Sequence, residues 1–255
     1  MIDHTGLPII RTERLQKRFG SQIILDGIDL SIPDKCIYTL VGQSGTGKSV
    51  LLKTILGMIK PDAGKVWLHD SELTTMKHAE LIATRKRFGY AFQYSALFDS
   101  MDVGENIAFP LREVLGITDK KVITQKVSRM LEWIELPGIE KKRIDELSGG
   151  MKKRIGVARA LVMQPEVLFF DEPTTGLDPV LSETIHNLVI RVHKELGITC
   201  MLITHDIPAA FKMSDRIAFL DKGKIVAEGT PQDIAASEHE MVRDFIRIAF
   251  NKLEV

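Results

Sequence analysis

Short apolar runs bounded by glycine, proline and charged residues recur along the chain, and in the stretches between them apolar residues fall at helical spacing. The runs at 9–15, 36–41, 65–69, 88–92, 167–171, 199–204, 216–220 and 224–228 predict strands. Just after the second run, Leu52, Ile55, Leu56 and Ile59 recur at i, i+3, i+4 and i+7, which places them on one helix face. Strand signals fade from Tyr94 to about Gln164, where 122–136 and 149–163 read as helices and Pro165 closes the second. Strand–helix alternation favours a mainly parallel sheet covered by helices, with 94–164 as an inserted helical subdomain. At the far end, Val242, Phe245, Ile246, Ala249 and Leu253 lie near one face of an amphipathic helix, expected to pack on a protein surface, its own or a neighbour's.

Composition narrows the function classes. The 255 residues suit one large domain or two small ones, with length enough for a sizeable core. Lys+Arg and Asp+Glu are both 34, so nucleic-acid binding through bulk positive charge is disfavoured. The basic runs 141–143 and 152–154 read as solvated faces. Cys36 and Cys200 sit in apolar runs and read as buried reduced thiols. No apolar run exceeds four residues, whereas a membrane span needs roughly 20. The start, MIDHTGLPII, lacks the features of a signal peptide. A cytoplasmic chain that meets a membrane only through a partner is the expectation.

The segment LVGQSGTGKSVLL carries the first chemistry. Gly42, Gly47, Lys48 and Ser49 fit G-x-x-x-x-G-K-[ST], between a predicted strand and a predicted helix. Residues Gly42, Gln43, Ser44, Gly45, Thr46 and Gly47 would curl backbone N–H groups around phosphate oxygens, and the helix would aim its positive end at the same anion. Lys48 would reach the β- and γ-phosphates, and the Ser49 hydroxyl would bind Mg²⁺. A second segment, VLFFDEP, ends a buried strand in two carboxylates. Asp171 is assigned to Mg²⁺ and Glu172 to polarising the attacking water; alone, the pair would read as a solvated acidic turn. In a third, LSGGM, Ser148 with Gly149 and Gly150 opens a helix, either as a plain N-cap or as a second anion site. Two phosphate-binding surfaces for one nucleotide suggest a two-fold dimer, each ATP lying between one copy's loop and the other's serine-glycine helix.

With those segments in order, the chain resembles the ATP-binding cassette ATPases, the energy subunits of ABC transporters, over roughly 9–230. GQSGTGKS, Gln93 in YAFQYSALF, LSGGM, VLFFDEP, GLDP and ITHD follow the family's order. The resemblance implies an α/β P-loop NTPase fold: a RecA-like core with an antiparallel β subdomain in 1–93 and 165–230, the inserted α-helical subdomain in 94–164, and a helical tail in 231–255. It implies that Gln93 senses Mg²⁺ and the γ-phosphate, that Asp178 lies at the dimer contact, and that His205 binds the γ-phosphate and orients the catalytic water. The other six histidines read as structural or exposed. Phe19 stands where the family stacks an aromatic on adenine, a core phenylalanine being the alternative.

Met151 departs from the glutamine that is commoner in the family's signature. LSGGMKKRIGVARAL, GQSGTGKSVLLK and LFDSMDVGENIAFPLRE resemble the MlaF-like subfamily that serves Mla and Mce lipid-transport systems. That likeness implies phospholipid transport across a bacterial envelope, a cassette peripheral on the cytoplasmic face of the inner membrane, and partners comprising an integral permease, a substrate-binding lipid-transport subunit and a small accessory subunit, with no nucleic acid. Tyr94, Leu97, Phe98 and Met101, just after Gln93, are a candidate groove for a permease helix; internal packing is the other reading. The rivals are the ATPase of another importer or exporter and an FtsE-like cell-division ATPase. Chromosome-maintenance ATPases split the head with long coiled coils, whereas only 54 residues lie here between Gln93 and Ser148. Translation factors of the family carry two cassettes, and this chain has one.

Overall fold

The computed structural model describes residues 8–251, and their packing divides into two units, 8–85 with 199–251, and 86–198. In the first unit, β1 (Ile10–Phe19), β2 (Gln22–Ile32), β4 (Ala63–Leu68) and β5 (Ser71–Glu72) form an antiparallel sheet in the order β2-β1-β4-β5. Beside them in sequence, β3 (Ile37–Val41), β8 (Thr199–Thr204), β9 (Arg216–Asp221) and β10 (Lys224–Gly229) run in the order β10-β9-β3-β8. β3 is parallel to both β8 and β9, and β10 returns antiparallel on β9. Every residue of β3 and β8 is buried, the pattern of parallel strands covered on both faces. The unit's helices are α1 (Lys48–Ile55), α2 (His78–Arg85), α7 (Ile207–Met213), α8 (Pro231–Ala235) and α9 (Glu240–Asn251).

The second unit pairs β6 (Phe88–Ala91) in parallel with β7 (Val167–Asp171). It adds α3 (Val103–Glu113), α4 (Lys120–Trp133), α5 (Gly149–Leu161) and α6 (Pro179–Leu196). Asp102 and Glu105 form a capping box that starts α3, and Asp178 caps α6, which Gly197 ends in the left-handed region.

Several elements differ from the sequence pattern. β2 is not foreseen, because Gly27 sits at φ 74° inside it and its pairing with β1 shifts register on either side of Leu15, which breaks the two-residue alternation. These strands make a separate antiparallel sheet, so parallel pairing is confined to β3, β6, β7, β8 and β9. α1 ends at Ile55, so Ile59 lies beyond it, half-buried, while Leu51, Leu52, Ile55 and Leu56 are buried.

The tail helix packs on its own unit. Val242 is fully buried in a cluster with Ile207, Ala210 and Phe219, and Phe245, Ile246 and Ala249 pack against that cluster. Leu253 lies outside the described residues. Both cysteines are buried free thiols, and burial pushes the Cys36 thiol up to about 12, which leaves it unreactive. His186 and His193 are buried, His69, His78 and His239 are exposed, and His4 lies outside the described residues. No helix among the described residues is long and apolar enough to cross a membrane.

Candidate functional site

In the first unit, two neighbouring strands deliver the expected groups to one edge. β3 and β8 are parallel and in register, with Val41 opposite Thr204. The glycine-rich loop leaves β3 immediately after Val41, and His205 follows Thr204 directly. Ligand-binding loops gather at such carboxyl ends of parallel strands. The turn carrying His205 is fixed by Asp206, whose N–H donates to Thr204 Oγ1 at 3.0 Å and whose carboxylate caps α7.

The loop has the shape of an anion cradle. A side chain at Gly42 would put its Cβ 2.3 Å from the Leu220 carbonyl oxygen, so only glycine lets the backbone turn there. Gly47 caps α1 with φ 105° and offers no side chain, so the first-turn N–H groups have no side-chain acceptor at the cap. Lys48 is buried, and its Nζ donates to the carbonyls of Gly42 at 2.7 Å and Gln43 at 2.8 Å. The cation is thus held at the loop's own rim. Ser49 is exposed in the first turn of α1, and Gln43, Ser44 and Gly45 are exposed beside it. These features fit a polyphosphate. Phe19 ends β1 at the hairpin to β2, 51 % exposed, with the Lys17 ammonium 5.4 Å from its ring centre. Its exposure excludes the core alternative.

In the second unit the same arrangement recurs. β6 and β7 are parallel with Ala91 opposite Phe170, so Gln93 and Glu172 each lie two residues beyond paired positions at one edge. The Tyr90 hydroxyl donates to Asp171 Oδ2 at 2.8 Å. Burial first, then that bond, raises the Tyr90 pKa, so the phenol stays protonated and keeps the carboxylate aimed. Glu172 adopts φ 47°, in the left-handed region, directly before Pro173, where extended backbone is the norm. A non-glycine residue held there costs about 1–3 kcal/mol, a strain that clusters at functional positions.

The serine-glycine helix and Asp178 also belong to this unit. Ser148 caps α5, its Oγ accepting the Met151 N–H at 3.3 Å, which is the plain N-cap reading. Gly149 and Gly150 face Leu177 and Leu181, so the starts of α5 and α6 adjoin. Asp178 is exposed and its carboxylate accepts the N–H groups of Val180 and Leu181 at 2.9 Å each.

No group of three His, Cys, Asp or Glu among the described residues could hold a metal by itself. Ser49 in the first unit, and Gln93 and Asp171 in the second, each carry side-chain oxygens, the ligand type that Mg²⁺ takes. Of the aromatic segment after Gln93, Tyr94 is 79 % exposed, while Phe98, still 40 % exposed, packs against Phe109 with ring centres 4.8 Å apart and tilted, under the Arg159 guanidinium. It is therefore part surface and part internal packing.

One basic run is misread from sequence. Lys141 and Arg143 are exposed, as expected. Lys153 and Arg154 are not a solvated face: Lys153 Nζ donates to the Gln93 carbonyl, and Arg154 Nη1 donates to the Ile134 carbonyl at 3.2 Å. No local signal marks them, because each acceptor is distant in sequence.

A family model described as ABC transporter matches residues 25–175. The chain is 38 % identical over 239 residues to the spermidine/putrescine import ATP-binding protein PotA of Mycoplasma mycoides subsp. mycoides SC, covering 93 % of this chain and 66 % of that protein. It is 38 % identical over 244 residues to the probable ribonucleotide transport ATP-binding protein mkl of Mycobacterium tuberculosis, covering 94 % and 68 %. The chain thus spans about two thirds of the length of these relatives, just under that for the first. Among solved structures, cbiO1 from Clostridium perfringens, described as part of the ABC transporter complex cbiONQ, superposes with TM-score 0.84 at 28 % identity over 98 % of this chain and all of that one. The cassette MJ0796, in a dimeric post-hydrolysis state bound to ADP and Pi, gives 0.78 at 27 % over 87 % and 98 %.

Proposed function

The chain belongs to the ABC transporter family and carries its ATPase domain, a mixed α/β fold with antiparallel and parallel sheets whose ligands are ATP and Mg²⁺, and from that premise we propose that it is the ATP-hydrolysing subunit of a transporter. The observation that carries this reading is the paired delivery of the open loop and His205 from in-register parallel strands. Lys48 exchanges the loop carbonyls for β- and γ-phosphate oxygens, and Ser49 and Asp171 hold the ion. Held there, Mg²⁺ would supply charge neutralisation for the phosphoryl group. Glu172 draws a proton from the attacking water, while Gln93 and His205 orient that water against the γ-phosphate. Phe19 stacks on the adenine. The helical subdomain spans 94–164 and carries the serine-glycine helix.

Ser148, Gly149, Gly150 and Asp178 serve the nucleotide of a second copy, so ATP binding closes a two-fold dimer and hydrolysis opens it. Support comes from the dimeric description of the similar cassette with ADP and Pi. An integral permease reads the motion at Tyr94, Leu97, Phe98 and Met101, which keeps this chain peripheral on the cytoplasmic face of the inner membrane. The similar cbiO1 is described as part of a larger transporter complex.

The cargo we propose is phospholipid, on the strength of the signature segment with Met151 and the segments 42–53 and 97–113, which resemble the MlaF-like subfamily. A substrate-binding lipid-transport subunit and a small accessory subunit complete that assembly. Small-solute import is the second reading, favoured by the polyamine and ribonucleotide names of the relatives. Isolation of the tagged chain from its native membranes tests the choice. Co-purification of a permease, with an ATPase activity of the complex that responds to added phospholipid, is expected. An ATPase response to spermidine or another small solute, with none to phospholipid, would overturn the lipid assignment.

A further inference from the structure

The helix that begins at Ser148 grips the segment after β6 by its backbone at three successive positions. Lys153 Nζ donates to the Gln93 carbonyl. One turn on, Gly156 lies against Ser95, so closely that a Cβ there would stand 3.3 Å from the Ser95 Cβ. After another turn, Arg159 donates to the carbonyls of Ser95 and Ala96, both at 2.7 Å. Ser95 and Ala96 both have positive φ, 60° and 46°, so this segment is bent into a shape that the helix side chains hold.

Lys153 differs from a packing residue in where it is led. It is partly buried and walls a small void with Ala91, Phe92, Gly156 and Pro173, at the edge of β6 and β7 that carries Gln93, Asp171 and Glu172. Burial works against its charge, and the Glu172 and Asp171 carboxylates work for it. A methionine would fill the same passage with no such cost, so the charge needs a reason.

We propose that Lys153 is a positioning residue for hydrolysis: its ammonium pins the Gln93 carbonyl and so fixes where the Gln93 side chain stands relative to Asp171 and Glu172. The proposal rests on the ATPase reading above. Without the ammonium the Gln93 carbonyl loses its charged donor, and the side chain turns with the peptide. Gln93 is assigned to both Mg²⁺ and the γ-phosphate; ADP lacks the second and keeps the loop, Ser49 and Asp171, so the loss falls mainly on turnover and little on Mg·ADP binding. Lys153 also ties the γ-phosphate sensor of one nucleotide to the helix whose start serves the other copy's nucleotide, which makes this contact a link between the two sites.

The experiment compares the full chain with its Lys153→Met, Lys153→Arg and Lys152→Met variants, reading steady-state ATPase, calorimetric binding of Mg·ADP and thermal unfolding. Lys153→Met is expected to lower kcat about tenfold or more, with KM and Mg·ADP affinity within about twofold of wild type. Lys153→Arg keeps a cationic donor and restores most of the turnover, and Lys152→Met behaves as wild type. A Lys153→Met protein with wild-type kcat would overturn the proposal, as would an equal loss of Mg·ADP binding or a fall in turnover that arginine does not relieve. If Lys153→Met does not fold, the arginine variant and Lys153→Gln carry the comparison by the same readings. A wild-type chain that neither binds nor hydrolyses ATP would instead remove the ATPase reading itself.

Discussion

Two helices of this chain begin on glycine-rich sequence, and they begin differently. α1 starts after GQSGTG with Gly47 at its cap, in a left-handed conformation and without a capping side chain. α5 starts after Leu147 with Ser148 at its cap, extended at φ −67°, its hydroxyl already bonded to Met151 N–H. The first terminus has donors with no side-chain acceptor and a lysine held at its rim by 2.7 and 2.8 Å bonds to carbonyls. The second has one of its first-turn donors, the Met151 N–H, already taken by the cap. An open helix start is a binding site in waiting, because uncapped N–H groups and the helix dipole both favour an anion. A capped one adds only what the cap has left over. The difference fits the proposed scheme, in which α1 binds the nucleotide first and α5 serves the nucleotide of a second copy.

The sharpest way to separate binding from chemistry in that scheme lies beyond both helices. Replacing Glu172 by Gln removes the base and keeps the shape, so hydrolysis should fall about 10²–10⁴-fold while ATP still binds. Phosphate release under saturating Mg·ATP measures the first, and size-exclusion chromatography with Mg·ATP should show a persistent dimer. Normal phosphate release from this variant would take Glu172 out of the role. Lys48→Ala probes the open terminus directly. The lost charge-assisted bond should weaken ATP binding by roughly 1.5–3 kcal/mol, about 10–150-fold. Unaltered affinity would mean that Lys48 serves only its own loop.

What could be read ahead of the structure divides along the same line. β3 and β7 are buried apolar runs, and the loop after β3 is a local motif, so neither depends on distant residues. Ser148 as an N-cap follows from its place before a helical pattern. β2 escapes because Gly27 and the shifted register hide its alternation. Tyr90 and Lys153 escape for another reason: their partners Asp171 and Gln93 lie 81 and 60 residues away, and only the folded chain brings them together. A lysine within a basic run offers no sign of which cation turns inward.

Ser148 gives the smallest effect and the finest test, because its hydroxyl can do two things at once. The oxygen accepts the Met151 N–H, and the O–H hydrogen remains free to donate to a phosphate. Ser148→Ala loses both functions, so it should cost about 1 kcal/mol of stability in chemical denaturation and also slow hydrolysis. That result alone would not tell a cap from a ligand. Ser148→Asp does, since aspartate caps a helix about as well as serine, yet has no donor and adds a negative charge where a second copy's phosphate would lie. The aspartate variant should unfold close to wild type, bind Mg·ATP as the single copy does through α1, and fail to form the nucleotide-dependent dimer. Wild-type hydrolysis by the Ser148→Asp protein would leave Ser148 a cap and nothing more, and the contrast between the two helix starts would then be one of folding, with no bearing on the nucleotide.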